Sequence, residues 1–461
     1  MSGWSISTGK GPVWWRAADG SGAAMRGMRY QSTRDERLTA GFSEALVQGL
    51  APDGGLYVPQ HWPELSPATL GGSRGLAELA ERLIGPFAAG DALEAAMLPI
   101  SAEAFNFPAP LVPLEGERLS VLELFHGPTA AFKDFGARFL AACLTRLRGG
   151  ESRALTILVA TSGDTGGAVA AAFHGRPGIE VVVLFPKGLV SPTQQQQLTC
   201  WGGNVRSFAV RGTFDDCQKL VKQAFLDERL RRSRTLSSAN SINLGRLLPQ
   251  AVYYAASSLA LAGAHGEPVS FIIPSGNLGN AVACIWARRL GLPIGEVVLA
   301  HNANRTVADF LADGRWQPRP SIATLASAMD VGDPSNMERL RALYPQLDSM
   351  RAALSACSVE DEAIRARIAS DYRRLGRIWC PHTAVAAEAY ARLSEERRRG
   401  GRWVLVATAH PAKFREIIEP LIGQEVPVPP ALAALYARAS EYQEIDADLG
   451  ALRTALASGS G

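Results

Sequence analysis

A chain of 461 residues, 47% hydrophobic and 20% charged, is long enough to form two or three domains around a large core. Its 47 basic and 44 acidic residues leave a net charge of only +3, which gives no electrostatic footprint for nucleic acid or an anionic membrane. No uninterrupted run of about eighteen apolar residues reads as a membrane span.

The six cysteines (Cys143, Cys200, Cys217, Cys284, Cys357 and Cys380) show neither metal-ligand spacing nor a Cys-x-x-Cys pair. Free thiols in a reducing compartment, and hence a cytoplasmic protein, are the simplest account. The basic runs Arg229 to Arg234 and Arg397 to Arg402 read as solvated helix ends.

Residues 1–27 carry Trp4, Trp14 and Trp15 among glycines and serines, without the apolar centre of a signal peptide. They are expected to be a flexible extension, with Met28 a candidate initiator. In residues 28–110, taken as an N-terminal domain, a helical pattern from Phe42 to Leu50 leads through the turn Pro52-Asp-Gly-Gly55 into the apolar Leu56-Tyr-Val58. Nothing there carries obvious chemistry.

A body at 111–430, with a smaller lobe at about 134–240, follows. Near its start stands Lys133, between Phe132 and Phe135, ahead of Phe139, Leu140, Cys143, Leu144 and Leu147 at helical spacing. Apolar neighbours and a helix N-terminus both disfavour the ammonium form, which makes Lys133 a candidate for Schiff-base chemistry. An exposed lysine in a turn is the ordinary alternative.

Strand, loop and helix then alternate. Leu155 to Ala160 runs into Thr161-Ser-Gly-Asp-Thr-Gly-Gly167 and an alanine-rich helix. The loop suits an anion at a helix N-terminus, or is simply a tight strand-to-helix turn. Next come a strand at Val181 to Phe185, a polar helix holding Gln194 to Gln197, a strand at Val205 to Val210 and a helix from Phe214 to Leu230. The alternation argues for parallel α/β layers.

Ser238-Ala-Asn-Ser-Ile-Asn243 and Arg246 gather hydroxyl, amide and guanidinium groups that form either a phosphate clamp or a helix cap beside an exposed arginine. A second unit, Val269 to Ile273, then Pro274-Ser-Gly-Asn-Leu-Gly-Asn280, then a helix, is the better cradle for a permanently bound phosphate. Residues Asp313 to Pro334 read as a loop or lid, and Trp403 to Ala407 as a third strand ending at Thr408-Ala-His-Pro. Residues 431–461 are expected to be a helical appendix with a flexible end.

Taken together, the segments resemble one family in its own order. His126-Gly-Pro-Thr-Ala-Ala-Phe-Lys-Asp-Phe-Gly136 is similar to the cofactor-lysine segment of threonine synthases. Ala160 to Gly166, Ser238 to Asn243, Pro274 to Gly279, Ala328-Met-Asp-Val331 and Thr408-Ala-His-Pro-Ala-Lys-Phe414 resemble further segments of that family. The resemblance runs from about residue 28 to about residue 423. It implies an α/β fold of the tryptophan synthase β type (fold type II of the pyridoxal-phosphate enzymes), with two open, mostly parallel sheets and an N-terminal domain.

The resemblance implies that Lys133 bonds to pyridoxal 5'-phosphate, that Gly276, Asn277, Leu278 and Gly279 hold its phosphate, and that Thr408 faces its ring nitrogen. Ser162, Gly163, Asp164 and Thr165 would grip the carboxylate of the bound amino acid. Because Asp164 is itself an anion, backbone N–H groups and hydroxyls are expected to do the gripping, with Asp164 turned toward its own loop or toward a donor. Ser241, Arg246 and, less directly, Asn243 are the candidates for the substrate phosphate. His126 is expected to stand behind the site, and His382 and His410 to be capping or packing residues.

The implied reaction converts O-phospho-L-homoserine and water to L-threonine and phosphate, in a monomer or homodimer without metal. A related lyase releasing a keto acid, and a catalytically silent binding relative, are the rival readings. Leu278 and Asn280 depart from the family's commoner phenylalanine and acidic residue, changes that a backbone cradle tolerates.

Overall fold

The computed structural model describes residues 27–114, 118–148 and 153–458. The expected N-terminal extension lies almost wholly outside them, as does the Gly-Ser-Gly end.

Two parallel sheets organise the chain. The larger has six strands in the order Ser355–Ser358, Ile294–His301, Val269–Pro274, Arg402–Ala407, Leu119–Glu123 and Leu111–Pro113. All neighbours are parallel except the last pair. The smaller sheet is parallel throughout, in the order Gln443–Asp446, Val205–Arg211, Ile179–Pro186, Leu155–Ala160 and Thr235–Ser238. Every residue of Val269–Pro274 and of Leu155–Ala160 is buried. Helices therefore cover both faces of these central strands, as their near-continuous apolar sequences require.

Two readings need correction. The helix expected from Phe214 to Leu230 is two helices, Phe214–Leu226 and Glu228–Ser233, because Asp227 leaves helical geometry and its carboxylate accepts the Leu230 N–H as an N-cap. The C-terminal appendix is not only helical: Gln443–Asp446 adds an edge strand to the smaller sheet, and the helix Leu449–Ala457 packs beside it. Ile445, Leu452 and Leu456 join Val182, Phe208 and Leu220 in one apolar cluster, so the end of the chain completes that lobe.

The N-terminal residues form a small antiparallel sheet (Thr39–Ala40, Tyr30–Ser32, Tyr57–Pro59) and short helices. Tyr30, Phe42, Leu79 and Leu83 belong to the same core as Phe135 and Phe139 of the helix Lys133–Leu147. The N-terminal region thus buttresses the back of the lysine helix. Residues 314–326 are irregular and lead into the single 3-10 turn Ser327–Met329, as expected of a covering loop. No helix among the described residues is long and apolar enough to cross a membrane.

Candidate active site

The carboxyl ends of Leu155–Ala160, Val269–Pro274 and Arg402–Ala407 open into one cleft of about 980 Å³, counting its mouth. This is where open α/β sheets gather ligands, and the size suits a small-molecule site.

Lys133 enters the cleft from the first residue of its helix. The turn before it is fixed from both sides. Thr129 donates its N–H and hydroxyl to the Asp134 carboxylate at 2.8 and 2.6 Å, and Phe132 N–H donates to the Thr408 carbonyl at 2.9 Å. Ala131 pairs with Ala409 in an isolated bridge, which ties the lysine turn to the loop after Arg402–Ala407.

The Lys133 amine has no hydrogen-bond or ion-pair partner among the described residues, and its nitrogen lies 4.6 Å from the centre of the Phe132 ring. Burial brings its pKa down to about 8; Asp164 opposes that fall, while Arg246 and Lys413 add to it. A buried, uncommitted amine of this kind is a nucleophile poised for a carbonyl.

Opposite stands the phosphate-type cradle. The N–H groups of Gly276, Asn277, Leu278 and Gly279 have no acceptor among the described residues, and they sit at the N-terminus of the eleven-residue helix Gly279–Arg289. Leu278 takes a left-handed conformation, with φ +63°, that a side chain seldom adopts without a functional reason. Asn280 accepts the hydroxyls of Tyr253 and Tyr254 at 2.5 and 2.8 Å, which anchors the first turn.

The first glycine loop is built around Thr161. Its Oγ1 accepts the N–H groups of Gly163 and Gly166 at 3.0 and 2.8 Å. Gly163, at φ +140°, therefore shapes the loop with its N–H already used, and a side chain there would collide with Gln194. The hydroxyls of Ser162 and Thr165 line the cleft without partners among the described residues. Asp164 forms a buried ion pair with Lys413 Nζ at 2.7 Å and accepts from Gln194 Nε2 at 3.3 Å. Burial would raise its pKa, but Lys413 and then Lys133 hold its carboxyl well below the usual range.

Arg246 reaches the cleft from the short helix Leu244–Leu247. Its guanidinium is buried, donates through Nη1 to the Ala239 carbonyl, and leaves Nε without an acceptor. No carboxylate pairs with it among the described residues, and burial lowers its pKa to about 10. Ser241 also lines the cleft, its hydroxyl accepting from Asn277 Nδ2 at 2.8 Å, so it borders the cradle itself.

Asn243 does not reach the cleft. It caps the Arg246 helix, its Oδ1 accepting from Gly245 N–H and its Nδ2 donating to the carbonyls of Leu46 and Ser238. A fully committed, buried amide is a strut between the N-terminal region and the site wall.

The histidines divide. His126 bonds to Glu123 at 2.9 Å outside the cleft wall, and His410 Nδ1 accepts from Ala412 N–H as a cap. His382 lines the cleft; its Nε2 accepts the Ala328 N–H at 3.1 Å, and burial keeps it neutral, with a pKa of about 4. Thr408 lies buried in the same wall with its hydroxyl unpaired among the described residues. The sequence placed His382 among capping or packing residues, where its Ala328 contact fits although it also lines the cleft, and it passed over Lys413, which lies within a segment singled out for its resemblance.

Comparison with known proteins agrees with this geometry. Residues 103–409 match the family described as pyridoxal-phosphate dependent enzyme, residues 29–105 the threonine synthase N terminus, and residues 383–456 the threonine synthase C-terminal region. The chain is 40% identical to threonine synthase of Serratia marcescens over 88% of its length and 94% of that protein's. The crystal structure of threonine synthase from Escherichia coli superposes with a TM-score of 0.86 at 38% identity, covering 94% of this chain and 100% of that one. A pyridoxal-phosphate-bound threonine synthase from Brucella melitensis superposes with a TM-score of 0.85 at 35% identity, covering 93% and 98%.

Proposed function

As the chain belongs to the threonine synthase family, we propose that it converts O-phospho-L-homoserine and water to L-threonine and phosphate in the cleft around Lys133, in the cytoplasm. The observation that carries this reading is one cleft lined both by the Lys133 amine and by the four N–H groups of Gly276, Asn277, Leu278 and Gly279 at a helix N-terminus, none of them with a hydrogen-bond partner among the described residues. The residues fit pyridoxal phosphate: Lys133 would bond to its carbonyl carbon, the N–H groups of Gly276, Asn277, Leu278 and Gly279 would hold its phosphate, and the Thr408 hydroxyl would face its ring nitrogen. Bound there, the cofactor supplies an electron sink for negative charge at carbons near the substrate nitrogen.

The chain supplies the rest. Ser162, Asp164 and Thr165 present N–H groups and hydroxyls to the substrate carboxylate, with Gly163 bending the loop into shape. Lys133 Nζ takes the Cα proton, a role suited to an amine whose pKa lies near 8. Arg246 and Ser241 hold the γ-phosphate, and the buried guanidinium stabilises the dianion as it leaves. A Cβ proton is lost as phosphate leaves Cγ, Cγ is then protonated to become the methyl group, water adds its hydroxyl at Cβ, and Lys133 returns the proton to Cα. The segment around Met329 covers the cradle and limits other water.

The test is a product balance with purified protein, pyridoxal phosphate and O-phospho-L-homoserine. Equal yields of L-threonine and phosphate that vanish in Lys133→Ala are expected. Phosphate accompanied by a keto acid would overturn the assignment in favour of the related lyase.

A further inference from the structure

Two buried lysines stand near one carboxylate in this cleft, and only one of them has it. Lys413 Nζ lies 2.7 Å from Asp164 Oδ1 and donates to the Thr129 carbonyl at 2.9 Å. The Lys413 and Asp164 side chains are 0% and 3% exposed, so neither charge is offset by water. Lys133, in the same site, has no partner among the described residues. A buried carboxylate seeks a cation strongly; without Lys413, Asp164 would turn to the lysine that the reaction needs as a free amine.

We propose that Lys413 is a positioning residue of the active site: by occupying Asp164 it keeps that carboxylate from pairing with Lys133 and holds the Ser162–Thr165 loop open to the substrate's anionic group.

The surrounding contacts make Lys413 suited to this. The Thr129 carbonyl that it binds belongs to the turn fixing Lys133, because Thr129 is also bonded to Asp134. Gln194 Nε2 adds a neutral donor to Asp164, and its helix Pro192–Thr199 backs the loop. One ammonium therefore joins the lysine turn, the carboxylate loop and the chain after Thr408. The charged groups facing Lys133 are Asp164, Arg246 and Lys413, with His382 neutral at the same wall and Asp134 committed to Thr129. Of these, Asp164 alone favours the ammonium and lies in another element.

The proposal rests on Lys133 as the cofactor-bearing residue, which loss of visible absorbance in Lys133→Ala tests separately. The measurement is the pH titration of visible absorbance in the holoenzyme, which reports protonation at the Lys133 nitrogen, together with kcat and KM. In Lys413→Met the titration midpoint should rise by about one unit, and KM should rise more than kcat falls, because Asp164 swings toward Lys133. In the double variant Asp164→Asn/Lys413→Met the midpoint should return to within a few tenths of the parent value, because no carboxylate remains to compete.

An unchanged midpoint in folded Lys413→Met would overturn the proposal. So would the same upward shift in the double variant, which would mark Lys413 as a packing residue only. Should Lys413→Met fail to fold, the double variant decides against the parent: a midpoint within a few tenths of the parent's supports a role through Asp164, and a clear shift refutes it.

Discussion

The backbone of Met329 lies so close to Gly276 that a Cβ added there would fall 2.7 Å from the Met329 Cα. Two segments some fifty residues apart in sequence thus share one surface, cradle on one side and cover on the other. Gly276→Ala forces one of them to move, and neither is a flexible side-chain tip. The expected result is at least a tenfold loss of pyridoxal-phosphate affinity, measured by fluorescence titration, with little change in secondary structure. Gly279→Ala, whose Cβ would meet Ser241 Cβ at 3.3 Å, should be milder.

The cover is held from below by Asp330. Its carboxylate accepts from Thr324 N–H and hydroxyl at 3.0 and 2.7 Å, and from Asn302 and Asn304 amides at 2.7 and 3.2 Å. Asp330→Ala strands those donors, and each buried unsatisfied group costs on the order of 1–3 kcal/mol. The variant should lose roughly 2 kcal/mol or more of stability in urea denaturation. It should also release cofactor faster on dilution, because the Met329 turn is no longer anchored.

Arg246 is buried with Nε unmatched, and a desolvated guanidinium without a carboxylate calls for an anion from outside the chain. Arg246→Ala should raise KM for O-phospho-L-homoserine roughly ten- to a hundredfold, the range for a charged hydrogen bond. Inorganic phosphate should also lose potency as a competitive inhibitor. Equal inhibition of parent and variant by phosphate would remove Arg246 from phosphate binding.

Burial holds His301 and His382 at pKa values of about 4, below the ordinary 6.5. Between those values each of these imidazoles is protonated in the unfolded chain but not in the folded one, so the stability they contribute is fully present above about pH 6.5 and is lost as the pH falls toward 4; Asp330, pushed up to about 7 by burial, partly offsets that loss. Each fully buried imidazole contributes about 3 kcal/mol to that loss. Thermal melts at pH 7.5, 6 and 5 should show a steepening fall in Tm, and His382→Gln, which keeps an acceptor for Ala328 N–H, should flatten it.

What the sequence made readable was local. The strands Leu155–Ala160, Val269–Pro274 and Arg402–Ala407 announced themselves as apolar runs ending in glycine or threonine loops, and Lys133 by its aromatic flanks. Long-range pairing was not readable. Nothing near Lys413 in sequence discloses that its partner is Asp164, because the pair joins residues 249 positions apart. Asn243 looked like a ligand group because amides serve equally as caps, and only the carbonyls of Leu46 and Ser238 decide between those roles. His382 was similarly ambiguous, its acceptor role depending on Ala328.

The C-terminal strand was hidden for a related reason: four residues, Gln443–Asp446, with one buried side chain give no periodic signal until their neighbour Val205–Arg211 is in place. That strand yields the last prediction. Ile445, Leu452 and Leu456 fill the apolar cluster against Val182 and Phe208, and Arg453 forms an ion pair with Asp227, the cap between two helices. Truncation after residue 436 would uncover this face, expose the edge of Val205–Arg211 and leave Asp227 without its arginine. A free, flat strand edge is a template for association. The truncated protein should therefore melt several degrees lower and aggregate on heating, as light scattering would show. The milder Arg453→Ala should lower Tm without aggregation, since it breaks the ion pair but leaves the edge covered. Identical melting of truncated and full-length protein would mean that the strand decorates the lobe and does not complete it.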